Sequence, residues 1–130
     1  EKNKKIKILA LEPSSLPIIS KEEKIGTHKI EGIGDEFIPK ILNTSLIDDV
    51  ILVDDIDAIN MAKKLASKLG LGVGISSGAN FLGAVIASQN NIATIFPDDL
   101  KKYLTTDLTK KITSEDLISN QIELIDYEIL

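Results

Sequence analysis

The segment LGLGVGISSGANF, residues 69–81, places four glycines and a serine pair between two stretches of helical periodicity. Two kinds of chemistry are open to it. Gly72 and Gly74 carry no side chain, so the backbone there can turn sharply or approach a flat ligand closely. Ser76 and Ser77 bring hydroxyls, either as caps for a helix that starts near Gly78 or as neutral donors and acceptors toward a ligand. Local pattern favours the cap. The segment is neither a GxGxxG turn after a strand nor a loop ending in GK[ST], so phosphate binding has no motif behind it.

Other residue types narrow the chemistry further. The chain has 130 residues and no cysteine, which excludes thiolate nucleophiles, disulfides and cysteine-based metal sites within it. One histidine, His28, makes no zinc cluster and is assigned no catalytic role. The formal net charge is -5 and the basic residues form no stripe, which argues against sequence-blind nucleic-acid binding. Lys2, Lys4, Lys5 and Lys7 read as a solvated tail beside the first strand. No apolar run reaches membrane-spanning length, and no secretory signal is visible.

The elements that must hold the glycine segment follow from periodicity. IKILALE, residues 6–12, reads as a buried strand closed by Pro13. Residues 13–34 show no period and form a long loop, a kind of segment that often serves function. EFIPKILNTSLI suggests a helical turn interrupted by Pro39. VILV, residues 50–53, is an all-apolar strand expected to be buried on both faces. Asp55 to Leu69 is the clearest helix, with Asp54 or Asp55 to cap it and Gly70 at its C-terminus. Ala79 to Gln89 is a second helix, whose Gly83, Ala84 and Ala87 allow close packing. IATIF, residues 92–96, reads as a strand stopped by Pro97, SEDLISN as helix-prone and IELIDYEIL as a last strand.

Strands alternating with helices predict an α/β fold, a parallel twisted sheet with helices on both faces. Three or four strands make a thin layer with open edges, as expected of a domain completed by partner sequence. The opening EKNKK, followed at once by an apolar strand, adds the expectation of a piece of a larger protein.

KIEGIGDEFIP, then GVGISSGAN, then FPDDLKKYLTTDL, in this order and spacing, resembles the C-terminal part of the cysteine synthase and cystathionine β-synthase family. The likeness runs from Ile6 to Leu108. It implies residues 1–130 of a fold-type II enzyme that uses pyridoxal 5'-phosphate, with the cofactor between two α/β domains. In the family the first serine of GISSG, here Ser76, faces the pyridine nitrogen. A hydroxyl does not hold that nitrogen protonated as a carboxylate would, so carbanion chemistry is weakened and loss of a β-substituent is favoured. Pro97 and Asp98 are implied near the same ring edge; a strand terminator and a helix cap account for them equally well. Where many sulfhydrylases have a serine-rich turn before YLST, this chain has Asp98 to Lys102 before YLTT.

The resemblance also places the loop from Lys24 to Phe37 at the active-site entrance. Gly32 and Gly34 would let it approach the substrate. Asp35 stands where many sulfhydrylases have alanine; a carboxylate there can deprotonate water or a thiol, or hold an ammonium, although a solvated loop charge is the plainer account. The family's Schiff-base lysine lies upstream, and Lys29 and Lys40 sit in the wrong motifs. The expected activity is conversion of O-acetyl-L-serine and sulfide into L-cysteine. The alternatives are an L-cysteine-degrading, hydrogen sulfide-producing or cystathionine β-synthase-like enzyme, and a non-catalytic fragment binding the tail of serine acetyltransferase. Expected partners are the N-terminal part of the same enzyme, a small amino acid and a second copy in a cytoplasmic homodimer.

Overall fold

The protein is described by a computed structural model covering residues 3, 5–22, 26–35, 37–87, 91–114 and 116–128. Lys2, Lys4, Lys24 and Gln89 of the segments named above lie outside the described residues. Strand β1, Leu9–Pro13, pairs in parallel with β2, Asp49–Val53, in the register Leu9 to Asp49 through Pro13 to Val53. Backbone bonds from Ser14 to Val53 (2.9 Å) and from Asp48 to Ile8 (2.8 Å) close the ladder at both ends. The first strand therefore begins later than its apolar run, and Pro13 ends it from within.

Helix α1, Ile18–Lys21, is a single turn inside the stretch without sequence period. What holds it is tertiary: the buried Glu12 carboxylate at the end of β1 accepts from the amides of Ile19 and Ser20 and from the Ser20 hydroxyl. Three such bonds compensate the removal of a charge from water. In EFIPKILNTSLI the only helical piece among the described residues is a 3-10 turn, Thr44–Leu46, after Pro39 and capped by Asn43.

Helix α2, Asp55–Leu69, matches its periodicity end to end. Asp54 caps it through the Ile56 amide at 2.8 Å, and Gly70 closes it in the left-handed region at φ 71°. Helix α3, Ile75–Ala87, begins one turn earlier than its apolar pattern suggests. Ser76 and Ser77 are thus first-turn residues rather than caps, and the Gly78 amide donates to the Gly74 carbonyl. α3 packs against both strands on one side and against α2 on another. Glycines set those approaches: a Cβ at Gly78 would lie 2.3 Å from the Ala58 carbonyl oxygen of α2, and one at Gly83 2.6 Å from Leu11 of β1. Ile59, Met61, Leu65, Ile75 and Leu82 fill the shared core, each fully buried side chain contributing roughly 1.5–3 kcal/mol.

Two expected strands do not form. Residues 92–96 and 122–128 have no strand pairing, and the described sheet has two strands instead of three or four. Among the described residues no strand pairs with either segment. A groove of about 690 Å³ separates the free edge of β1 from residues 91–94, with Gly83, Ala84 and Ala87 of α3 as its floor. Strand-prone sequence without a ladder partner within reach cannot satisfy its backbone as a strand. For the same reason β2 is only partly buried along Val50, Ile51 and Leu52, not covered on both faces. Helix α4, Ile118–Gln121, docks on α2, where Asp57 accepts from the Ser119 amide at 2.8 Å.

Candidate functional site

The glycine segment meets the FPDD segment through backbone first. Val73 and Asp99 form an isolated antiparallel bridge, the Gly74 amide donates to the Asp98 carbonyl at 3.0 Å, and the Leu100 amide to the Gly72 carbonyl at 2.9 Å. This clamp fixes the start of α3. A Cβ at Gly74 would sit 2.3 Å from Asp98 Oδ1 and 2.5 Å from Tyr103 Cε2, so only glycine admits both side chains. Gly72 is open by comparison: the nearest atom to a Cβ there would be Leu100 Cβ at 3.7 Å.

Ser76 and Ser77 are both buried beside this clamp. The Tyr103 hydroxyl donates to Asp98 Oδ2 at 2.6 Å, and Lys102 Nζ stands 3.4 Å from the same oxygen. Asp98 Oδ1 is buried with no partner among the described residues. Burial first, then the hydrogen bond and charge of Asp98, push the Tyr103 phenol up to about 12, while the Ser76 hydroxyl pulls the other way. Tyr103 therefore stays a neutral phenol at physiological pH. Nothing in the local pattern marks this tyrosine, which opens the YLTT segment; its place becomes visible only where the 3-10 turn Leu100–Tyr103, capped by Asp99, folds it back onto Gly74.

Residues 26–35 form a second group. Ile30 is fully buried and anchors it in the core. The Lys29 amide donates to Asp55 Oδ2 at 2.8 Å, and the Lys29 ammonium pairs with Asp107. The Lys110 and Lys29 hydrogen bonds pull the Asp107 carboxyl down to about 2. Gly32 and Gly34 both lie in the left-handed region, at φ 88° and 70°. They differ in surroundings. A Cβ at Gly32 would meet nothing, whereas one at Gly34 would lie 2.7 Å from Pro13 Cγ and 3.0 Å from His28 Nε2. Asp35 is exposed and has no hydrogen-bond or ion-pair partner among the described residues.

Of the residues singled out by sequence, Ser76 and Asp98 converge on Tyr103, while Pro97 is exposed beside them. The charge of Glu31 also acts on Tyr103, which puts the Gly32–Gly34 turn within electrostatic reach of that cluster. Among the described residues no group of three His, Asp or Glu side chains could hold a metal ion. No helix among them is long and apolar enough to cross a membrane.

No protein-family model matches the chain. Individual relatives do. Cysteine synthase B of Campylobacter jejuni is 50% identical over 112 residues, 83% of this chain and 37% of that protein. A hydrogen sulfide-producing enzyme of Fusobacterium nucleatum superposes with a TM-score of 0.81 at 52% identity, covering 88% of this chain and 36% of that one. An Asp-to-Asn variant of the hydrogen sulfide-producing enzyme, in complex with an α-aminoacrylate intermediate, superposes equally well. Cysteine synthase of Entamoeba histolytica gives a TM-score of 0.80 at 34% identity, over 92% of this chain and 36% of that one. The architecture is that of fold-type II pyridoxal-phosphate enzymes. The chain belongs to the cysteine synthase and cystathionine β-synthase family, matches its C-terminal part, and spans little more than a third of the length of these relatives.

Proposed function

We propose that the chain is the C-terminal part of a pyridoxal-phosphate enzyme that replaces the β-substituent of an amino acid, forming L-cysteine from O-acetyl-L-serine and sulfide. The observation that supports this best is the clamp, which buries Ser76 at the start of α3 against Tyr103 and Asp98. Its hydroxyls suit the ring-nitrogen edge of the cofactor: the Ser76 hydroxyl is neutral, and the neutral Tyr103 phenol behind it gives its proton to Asp98 Oδ2. Bound pyridoxal phosphate supplies the electron sink that labilises the α-proton and the β-leaving group. Ser76 would hold the ring edge as a neutral hydrogen-bond partner, with Asp98 and Pro97 in support. Gly32, open above its backbone, would leave room for the amino acid.

The remainder of the site belongs to other sequence. Lys29 is paired with Asp107, and the covalent anchor and phosphate cradle fall to an N-terminal part of the same enzyme. The groove along β1 supports that division. A residue in a packed strand fills roughly 160 Å³, at about 3.3 Å along the chain, 4.8 Å across and 10 Å between layers, so 690 Å³ takes about four strand residues. Residues 1–130 are then one part of a two-domain enzyme, assembled as a homodimer in the cytoplasm.

A second reading is favoured by one observation: Asp35, the exposed carboxylate of the entrance loop, is free of partners among the described residues. In this reading L-cysteine loses hydrogen sulfide and gains water, giving L-serine, or gains a second cysteine, giving lanthionine. Asp35 would take the proton from the incoming water or thiol. The similarity to a hydrogen sulfide-producing enzyme is in keeping with it. The third reading, a non-catalytic fragment that docks the tail of serine acetyltransferase, predicts no turnover at all.

The test is to give the full-length enzyme O-acetyl-L-serine with sulfide, and separately L-cysteine alone, and to identify products by mass spectrometry. Cysteine formation supports the first reading. Sulfide release from L-cysteine alone, lowered at least tenfold by Asp35→Asn without a change in unfolding midpoint, supports the second. No turnover and no cofactor absorption band would sink both.

A further inference from the structure

Among the described residues the His28 side chain has one hydrogen bond, and it goes to the Gly32–Gly34 turn. Its Nε2 lies 2.9 Å from the Gly34 carbonyl, and because a carbonyl only accepts, Nε2 carries a proton in this contact. The other nitrogen, Nδ1, is buried with no partner among the described residues, as is Asp55 Oδ1. Both orphans belong to the seam between the entrance loop and the start of α2, where the neighbouring Lys29 amide holds Asp55 Oδ2. Burial raises the Asp55 carboxyl from its ordinary value, and the Lys29 amide and the charge of His28 oppose that shift.

The contact spans the turn that matters. Residues 28 and 34 bracket Glu31, Gly32 and Ile33, and both glycines of the turn need the left-handed region. Gly34 is packed closely by His28 and Pro13, where a Cβ would collide, and the imidazole alone holds its carbonyl. A backbone carbonyl fixed this way also fixes the peptide plane that leads into Asp35. The imidazole is therefore tied to the loop and not merely packed under it.

We propose that His28 is a positioning residue: its Nε2–H grips the Gly34 carbonyl and holds the Gly32–Asp35 turn in the conformation that receives the amino-acid substrate, with Asp55 anchoring the loop through Lys29. This rests on the reading of Gly32, Gly34 and Asp35 as the substrate side of the site. His28 touches no reacting atom in this role.

The experiment compares His28→Ala and His28→Gln in the full-length enzyme with its cofactor bound. His28→Ala removes the donor, so KM for the amino-acid substrate rises about five- to tenfold, the net worth of one hydrogen bond, with a smaller change in kcat. His28→Gln restores a side-chain N–H and brings KM back to within about twofold of the parent. Amide exchange across residues 31–35 accelerates in the alanine variant and recovers in the glutamine variant. A purely structural histidine would lower the unfolding midpoint of both variants and leave KM unchanged, which overturns the proposal. Equal KM increases in both variants overturn it too, since the donor would then be irrelevant. Should the alanine variant not fold, a glutamine variant with raised KM and fast exchange at residues 31–35 has the same effect. If the parent enzyme turns over no amino acid, the reading of the site fails, while the exchange data still report whether His28 holds the loop.

Discussion

The helix pair and the strand-prone segments 92–96 and 122–128 are all at least half apolar, yet only the first takes its expected form. α2 and α3 satisfy their backbone within themselves, and they meet over glycine and alanine with no other sequence required. Residues 92–96 face β1 across an open groove, joined to α3 by the Asn80 side chain on the Ile95 carbonyl at 2.8 Å. A helix is a local solution to hydrogen bonding. A parallel strand is a contract with distant sequence.

The comparison is most sharply broken by supplying that sequence. In the full-length enzyme the amides of Ile92 to Phe96 should exchange at least about a thousandfold slower than in an exposed segment, because ladder bonds open only with larger unfolding. Free exchange there, measured by mass spectrometry, would mean that no strand enters the groove. The opposite test attacks the helix pair. Gly78→Leu drives a side chain into the α2 backbone at Ala58 and Ala62 and should cost about 3 kcal/mol in denaturant unfolding, at the upper end for overpacking. A cost below 1 kcal/mol would show that the helices separate easily.

A smaller effect probes the clamp. Tyr103→Phe leaves the Asp98 carboxylate without its short hydrogen bond and should destabilise by about 1–3 kcal/mol near neutral pH. The pH dependence follows in sign. The folded phenol is raised from 10.0 to about 12, so its contribution is whole below pH 10 and lost as pH rises through 12. The stability difference between parent and variant should shrink across that window, by at most about 1.4 kcal/mol per unit. A difference constant from pH 9 to 12 would remove the buried phenol from the account.

Much of the fold was legible because the signals were local. Asp54, the apolar spacing to Leu69 and Gly70 specify α2 without reference to anything else. Ser76 is a cofactor-facing candidate by resemblance alone; by local pattern it reads as a cap, because serine before an apolar run usually is one. Its first-turn position depends on the bridge between Val73 and Asp99, a contact across 26 residues that no periodicity encodes. Glu12 looked like the end of a strand, and became the support for α1 only when residues 18–20 folded back onto it.

By itself, then, the sequence determined the two long helices, the paired parallel strands, the glycines that permit close approach and the family to which the chain belongs. Caps, periods and motifs act within a few turns of chain, and so they can be read along it. The tertiary structure alone decided that Tyr103 stands behind Ser76, that Asp98 keeps an unpartnered buried oxygen, and that His28 grips the Gly34 carbonyl. It also decided that IATIF pairs with no strand among the described residues. Each of these depends on which distant groups share a small volume out of water, where one hydrogen bond or its absence sets position and charge.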